Sequence, residues 1–596
     1  LLEGIHRYRD VSFEGERMSH KRSAVALGAL ATVTALTVAA CGGSASTKGS
    51  SSNNGASTAA KAGGTIYYLT KRSVEHWDPQ RVYIGRDISN SSRLFTRTLV
   101  QPPATADPAA ALKLEPDLAT DLGTSSDGAK TWKFTLKDGV KWQDGKDVTC
   151  ADVKYGASRT FATDVITGGP NYMLQFLDVP KAADGSPAYK GPYSKVGQAL
   201  FDKAITCDGK SITYHFNKPW ADFPLSLAYL TSGAPYRQDQ DKGDKSNFVI
   251  FSDGPYKLQG TWEKGKGGTL VRNDQWDAKT DTVRKALPDK YVFTEGLTDE
   301  VIAQRMIADS GPDKFAVTDR RVPPALQAQA FSTAKTRITN PTAPYVDYLV
   351  PNFKNVTNPK VREAMATAIN RSAYITALGG QTSGTPAKSI MAPTLLGYKD
   401  ADVFNAGDSG DPAKAKSVLQ SAGVPMPYPL RYTYSGGTPT TEKAAAVVKS
   451  AWEAAGFKVT LNELTDTYYD VIQNPANAAK YDVAWASWGA DWPSGSTVIP
   501  PLFDDRINLT KASNAQDYGL YASKSVDSAI DDALNKPDAN AQASAWAGID
   551  QTLAKDVAYI PLMVNKFVFL RGSSVKNYLN GAATSTFPDL AGVGAQ

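Results

Sequence analysis

A chain of 596 residues is long enough for several domain-sized units at roughly 100–200 residues each. Its 42% hydrophobic and 21% charged residues are ordinary globular material, not a disordered or collagen-like chain. The 65 basic and 60 acidic residues leave a net charge of only +5, and no Lys/Arg block stands out, so the composition speaks against nucleic-acid binding. Three widely separated cysteines (Cys41, Cys150 and Cys207), no CxxC and only four histidines exclude a zinc ribbon and speak against haem or iron–sulfur ligation. No resident metal or cofactor is expected.

The N-terminus reads as an address. Residues 1–17 carry Glu3, Asp10, Glu14 and Glu16, which do not suit a signal peptide, and Glu14-Gly15-Glu16 is what a translated purine-rich ribosome-binding site would encode. Met18 is the better start, and residues 1–17 are expected to be an upstream extension. Residues 18–40 then form a signal peptide: Lys21 and Arg22 precede an uncharged apolar run from Ser23 to Ala40. Val38-Ala39-Ala40-Cys41 fits a bacterial lipobox, with Cys41 as the lipidated first residue of the mature chain; the competing reading is a transmembrane anchor. Residues 41–62 are almost entirely Gly, Ser, Ala, Thr and Asn, a flexible tether. Behind such an anchor Cys150 and Cys207 face an oxidising compartment, and a disulfide between them is expected over two buried thiols.

Further along, Gly64–Leu69 reads as an opening strand, and Thr131–Leu136 and Ser211–Phe216 as β-rich segments. Tyr256–Leu258 and Thr269–Val271 read as a hairpin around Gly260–Gly267, whose Walker-like spacing lacks the Ser or Thr that would hold Mg²⁺. Asn358–Asn370 and Asp411–Ala422 have helical apolar spacing with Pro near the start. Strand 430–434, helix 441–455 and strand 457–461 form a βαβ rhythm that implies a parallel sheet, and Tyr481–Trp485 reads as a buried strand. No internal repeat is visible.

Enzyme motifs are scarce: GxSxG, HExxH and GxGxxG are absent, and only His76 and His215 would survive processing at Cys41. Both are read as structural, His215 within a strand and His76 beside a turn. The most suggestive stretch is Tyr481 to Pro493, a strand running into a turn that holds Trp488 and Trp492 around Asp491. Two tryptophan walls and an acid that pairs with a ligand ammonium would suit a binding pocket. Core tryptophans beside a helix-capping Asp are an equally good reading of the same residues.

Several blocks, in order, resemble the dipeptide/oligopeptide-binding family of extracellular solute-binding proteins (family 5), the receptors of bacterial ABC importers. Glu115–Ala119 precedes Trp132–Trp142 and then Asp144–Val153, the most specific match. Gly254-Pro255-Tyr256 with Val271-Arg272-Asn273, Val361–Ala364 with Ala368–Arg371, Tyr481–Pro493 and Ile560-Pro561-Leu562 follow. The resemblance runs from about Gly63 to the C-terminus. It implies an α/β, two-lobed periplasmic-binding-protein-like fold (type II) with an extra domain inserted in the first lobe. On this reading lobe I comprises 63–98, 220–345 and 556–596, the inserted domain 99–219, and lobe II 346–555.

The resemblance also places a ligand between the lobes. It matches Asp491 to the acid that pairs with a peptide's α-amino group, and Ser487, Trp488 and Gly489 to backbone contacts and an aromatic wall, with Trp492 beside them. Tyr172 and the Tyr83–Gly85 stretch face them; the block around Asp144 is read as scaffold. The implied function is not enzymatic: a monomeric, lipid-anchored receptor on the outer face of the bacterial cytoplasmic membrane captures short peptides and hands them to ABC permease subunits. Ser487 and Gly489 depart from the peptide-binding pattern, so an oligosaccharide or other small-solute receptor is the alternative. A peptide sensor and a secreted carboxylate hydrolase come behind it.

Overall fold

A computed structural model describes residues 60–596. The proposed extension, the signal peptide, the lipobox with Cys41 and most of the tether lie outside the described residues. Among the described residues no helix is long and apolar enough to cross a membrane.

Three sheets organise the chain. The first has five strands in the order Ala316–Thr318, Thr65–Leu69, Lys290–Thr294, Gly267–Arg272, Tyr256–Glu263. Thr65–Leu69 is parallel to both of its neighbours, and the last two strands form the antiparallel hairpin that Gly260–Gly267 suggested. Gly267 adopts φ +110°, and a Cβ there would lie 2.1 Å from the Phe293 carbonyl oxygen, so the turn requires glycine. The chain end closes this unit: Lys61 N donates to Gln596 O at 2.9 Å and Tyr291 Oη to Leu590 O at 3.0 Å.

The second sheet has six strands in the order Gly384–Pro386, Ile560–Lys566, Thr342–Pro351, Val483–Gly489, Tyr428–Ser435, Phe457–Leu464. Tyr428–Ser435 and Phe457–Leu464 are parallel, joined by the helix Pro439–Ala454, as the βαβ rhythm implied. The helices on this sheet start where short polar side chains satisfy free backbone N–H groups. Asn358 accepts from Lys360 N at 2.9 Å and Asp411 from Lys414 N at 2.8 Å, each followed by a proline that has no N–H to satisfy. The buried strand near residue 481 runs from Val483 to Gly489, further toward the Trp488–Trp492 turn than the sequence suggested.

The chain crosses between these two sheets twice, side by side. Ile338–Thr339 pairs with Phe569–Leu570, and Thr342 then pairs with Lys566 as both segments enter the six-stranded sheet. By hydrogen bonding, therefore, Ile560–Lys566 belongs with the six-stranded sheet, whereas residues after Phe567 return to the first. Paired crossings of this kind are the geometry on which hinged units turn.

A third sheet, Thr124–Ser126, Thr131–Thr135, Ser211–His215 and Ile205–Asp208, forms the unit inserted between residues of the first. Cys150, at the start of the helix Cys150–Arg159, is disulfide-bonded to Cys207 in this sheet, with Cα atoms 5.9 Å apart. The segment around Asp144 is framework. Thr149 and Asp152 cap the helix reciprocally, Asp152 also accepts from Trp142 Nε1 at 3.3 Å, and Gly145 turns the chain at φ +85°. Buried ion pairs tie the inserted unit down: Arg97 and Arg284 both reach Asp117, at 2.7 and 3.0 Å, and Arg159 grips Asp78 at 2.6 Å and Asp241 at 2.8 Å.

His215 lies within its strand, 3.3 Å from Thr131 Oγ1, and His76 Nδ1 meets Asn247 Oδ1.

Candidate functional site

The strand Val483–Gly489 delivers the Trp488–Trp492 turn to the junction of the units. It pairs along its length with Thr342–Pro351, setting Ser487 opposite Asp347 and Gly489 opposite Tyr345. Glycine is required at 489: a Cβ there would stand 2.3 Å from Tyr345 Cε1. The turn then places Asp491 against side chains from the other side of the junction. Tyr83 Oη donates to Asp491 Oδ2 at 2.6 Å, and Tyr172 Oη donates to the same oxygen. Burial is the main cause that holds the Tyr83 phenol well above its ordinary pKa, and the neighbouring Asp491 charge adds to it. Tyr83 therefore stays a proton donor across the physiological range.

Asp491 is largely buried and borders a small recess. The recess is lined by Gly85, Ser89 and Ser92 from the helix Gly85–Leu94, with Tyr229 and Ser585. A carboxylate beside two phenolic hydroxyls in a recess walled by serines offers acceptors to a ligand's ammonium and N–H groups.

The two tryptophans do not stand as a matched pair of pocket walls. Trp492 is 2% exposed, and its ring packs edge-on to Tyr172 at 4.6 Å and near Trp220 at 6.4 Å. Its Nε1 donates to Asp222 Oδ2 at 2.7 Å, where Ser496 Oγ also donates at 2.6 Å. Trp492 is thus a plug seated in the core of the inserted unit. Trp488 packs on the second sheet's core and donates Nε1 to Thr497 O at 2.9 Å, bracing the turn from within. Ser487 faces Asp347, which also accepts from Asn565 Nδ2 at 2.9 Å; burial pushes that carboxyl up to about 6.

Of the residues singled out from the sequence, Asp491, Tyr83, Tyr172, Trp492 and Gly85 are brought together, whereas Ser487 and Trp488 support the strand and turn. The sequence reading missed Asp222, Tyr345 and Asp347. Asp222 reaches Trp492 across 270 residues, and nothing local to Asp222 marks it. Its only signal is that Trp220-Ala221-Asp222 precedes a helix, which reads equally as a cap.

Two α/β units crossed twice by the chain, with an acid-bearing turn at their junction, define a bacterial extracellular solute-binding protein. The chain belongs to family 5 of these proteins: the description "Bacterial extracellular solute-binding proteins, family 5 Middle" matches residues 113–509. It is 25% identical over 470 residues to the periplasmic oligopeptide-binding protein OppA of Salmonella typhimurium, covering 76% of this chain and 79% of that one. It is 24% identical over 479 residues to the glutathione-binding protein GsiB of Salmonella paratyphi A, covering 78% and 84%. Among solved structures, the "Clavulanic acid biosynthesis oligopeptide binding protein 2" superposes with a TM-score of 0.80 at 27% identity, covering 90% of this chain and 96% of that one. The family is one of solute-binding receptors, and its members are extracellular or periplasmic.

Proposed function

We propose that this protein is a lipid-anchored receptor that captures short peptides between two lobes and delivers them to an ABC permease. The observation that carries the peptide reading is the Asp491 carboxylate, held by Tyr83 and Tyr172 at the edge of a recess. A buried ligand ammonium needs a countercharge there, because an unpaired buried charge costs several kcal/mol. The names of the relatives agree, one an oligopeptide-binding and one a glutathione-binding protein. The oligosaccharide alternative relied on Trp488 and Trp492 as stacking faces, and Trp492 is buried in the inserted unit.

In this reading the lobes follow the division 63–98, 220–345 and 556–596 against 346–555, with 99–219 inserted, and Ile560–Lys566 is the part of the returning segment that hydrogen-bonds into the second lobe. Anchoring through Cys41 on the outer face of the cytoplasmic membrane is supported by the lipobox alone. The protein acts as a monomer.

Calorimetry with free and N-acetylated peptides tests the ligand reading. Free peptides should bind at least about tenfold more tightly than acetylated ones, and Asp491→Asn should abolish the difference. Binding of oligosaccharides with no response to peptides would reject it. Loss of peptide uptake on gene deletion would separate an importer from a sensor, and failure of Cys41→Ser to incorporate labelled palmitate and to stay with the membrane fraction would test the anchor.

A further inference from the structure

Acidic side chains crowd one end of two helices packed on the second sheet's core. Asp504 ends the helix Ile499–Phe503 and caps the next one, Asp505–Asn508, accepting from Arg506 N at 3.1 Å. Asp527 stands in the first turn of the helix Lys524–Leu534. Oxygens of Asp504, Asp505 and Asp527 all lie within 4.8 Å of one another. Asp504 and Asp527 are 4% and 7% exposed, and Asp505 is half-buried.

The neighbouring cations do not balance these acids. Arg506 is engaged by two forks: Nε and Nη2 each donate to Asp504 at 2.8 Å, and Nη1 and Nη2 donate to Asp531 at 2.6 and 2.9 Å. Its Nε is 4.0 Å from Asp527 Oδ1. Lys218 acts on Asp504 and Asp531 from beyond ion-pair distance. Among the described residues Asp505 has no ion pair, and Asp527 accepts no hydrogen bond from any N–H or hydroxyl. Asp527 Oδ1 is buried without a partner, and the group its carboxyl meets is the carboxyl of Asp505. A helix N-terminus favours a carboxylate in its first turn, yet Asp527 takes no backbone N–H there. The Asp505 charge also reaches Asp517, which is 1% exposed and whose Oδ2 likewise has no partner.

The geometry points to a divalent-cation site, with Asp504, Asp505 and Asp527 as ligands and Ca²⁺ as the ion. A buried carboxylate held against another with no donor between them is costly, and a shared cation removes that cost. Scarce cysteine and histidine argue against zinc or iron and say nothing against a cation bound by oxygens alone. Carboxylate oxygens select a hard cation. Oxygens on one Ca²⁺, each about 2.3–2.6 Å from it, can stand about 5 Å apart, whereas those on Mg²⁺ reach only about 4 Å. A triad spread over up to 4.8 Å suits the larger ion. Asp504 shares its lone pairs between the ion and Arg506, and half-buried Asp505 leaves a way in. The ion ties the start of Lys524–Leu534 to the start of Asp505–Asn508. None of its ligands lines the recess at Asp491.

Calorimetry and thermal melting of the purified, EDTA-stripped chain test this, with CaCl₂ and MgCl₂ as probes. Ca²⁺ should bind once per chain, in the roughly 10⁻⁴–10⁻³ M range of extracellular calcium modules, and raise the melting temperature. Mg²⁺ should bind at least about tenfold more weakly. Asp527→Asn and Asp505→Asn should each weaken Ca²⁺ at least about tenfold. In EDTA, Asp527→Asn should melt no lower than wild type, because it removes a like-charge contact; a merely structural Asp527 would melt lower and leave Ca²⁺ binding intact. If Asp527→Asn fails to fold, Asp505→Asn decides. Exposed Asp184 is the control, and Asp184→Asn should respond as wild type does. Absence of Ca²⁺ binding at about 10 mM would overturn the proposal, as would an unchanged Ca²⁺ affinity in Asp505→Asn or an equal loss in Asp184→Asn. Tighter binding of Mg²⁺ than of Ca²⁺ would overturn the choice of ion.

Discussion

The indole N–H of Trp492 donates to the carboxylate of Asp222 at 2.7 Å, joining the turn that carries Asp491 to the start of a helix 270 residues earlier. Asp222 is 3% exposed and also receives the Ser496 hydroxyl, so one carboxylate takes two donors from the turn. On the receptor reading proposed above, such a contact favours the arrangement in which the units are together, and its loss should lower the population of that arrangement. Asp222→Ala is expected to weaken peptide binding about tenfold, mostly through faster dissociation. Stopped-flow release of a labelled peptide measures this, and an unchanged release rate would show that Asp222 takes no part in closure.

Gly489→Ala tests the fit of the strand against its neighbour. The added methyl would meet the Tyr345 ring at 2.3 Å, and that ring is held by Phe567 on its other side. A loss of about 1–3 kcal/mol is expected, typical of overpacking, and urea denaturation should show it. Gly489→Ala with Tyr345→Ala should recover part of the loss, and an effect unchanged in the double variant would place the strain elsewhere.

Arg159 and Asp78 are both fully buried, and Arg159 Nη2 lies 2.6 Å from Asp78 Oδ2. Arg159→Met leaves the Asp78 charge without its main partner, and about 3–5 kcal/mol of stability should be lost. Adding Asp78→Asn removes that orphaned charge. The double variant is expected to be more stable than Arg159→Met alone, and a double variant that is less stable would show that Asp78 is satisfied by other groups.

Cys150 and Cys207 are 57 residues apart in sequence. Cross-linking a loop of that length restricts the unfolded chain by about 4 kcal/mol in the chain-entropy account. Paired Cys→Ala substitution should lower the melting temperature, with peptide affinity changed little because the bond lies in the inserted unit away from Asp491. Equal melting temperatures with and without reductant would mean that the bond does not constrain the protein in solution.

Asp253 offers a pH test. It is 2% exposed; burial, the main cause, pushes its carboxyl up to about 7 against the backbone N–H of Arg97, which donates to it at 2.8 Å. A carboxyl raised on folding adds stability that is full below its unfolded value of about 4 and is lost as pH climbs through about 7. Relative to Asp253→Asn, the wild type should therefore lose melting temperature between about pH 4 and pH 7. Parallel curves would remove Asp253 from the account.

Much of the scaffold was legible in short spacings. Asn358-Pro359 and Asp411-Pro412 announce helix starts because a short acceptor and a missing N–H solve a local problem. The hairpin was legible from the β-rich runs Tyr256–Leu258 and Thr269–Val271 that flank it, and the structure adds that position 267 must be glycine. The junction was less legible. Trp488 and Trp492 looked alike in the sequence, yet one braces its own turn and the other plugs a distant unit.

By itself, then, the sequence determined the α/β class, the family blocks from Glu115 to Ile560 and the acid at the end of a buried strand, all of which rest on contacts between residues close in the chain. Only the tertiary structure decided what meets that acid. Tyr83 and Tyr172 lie 408 and 319 residues from Asp491, and the strand at Ile560–Lys566 joins the second sheet instead of the first. Periodicity and capping report local geometry, whereas the partners across a cleft are set by where the chain crosses the hinge and how two separately folded units dock.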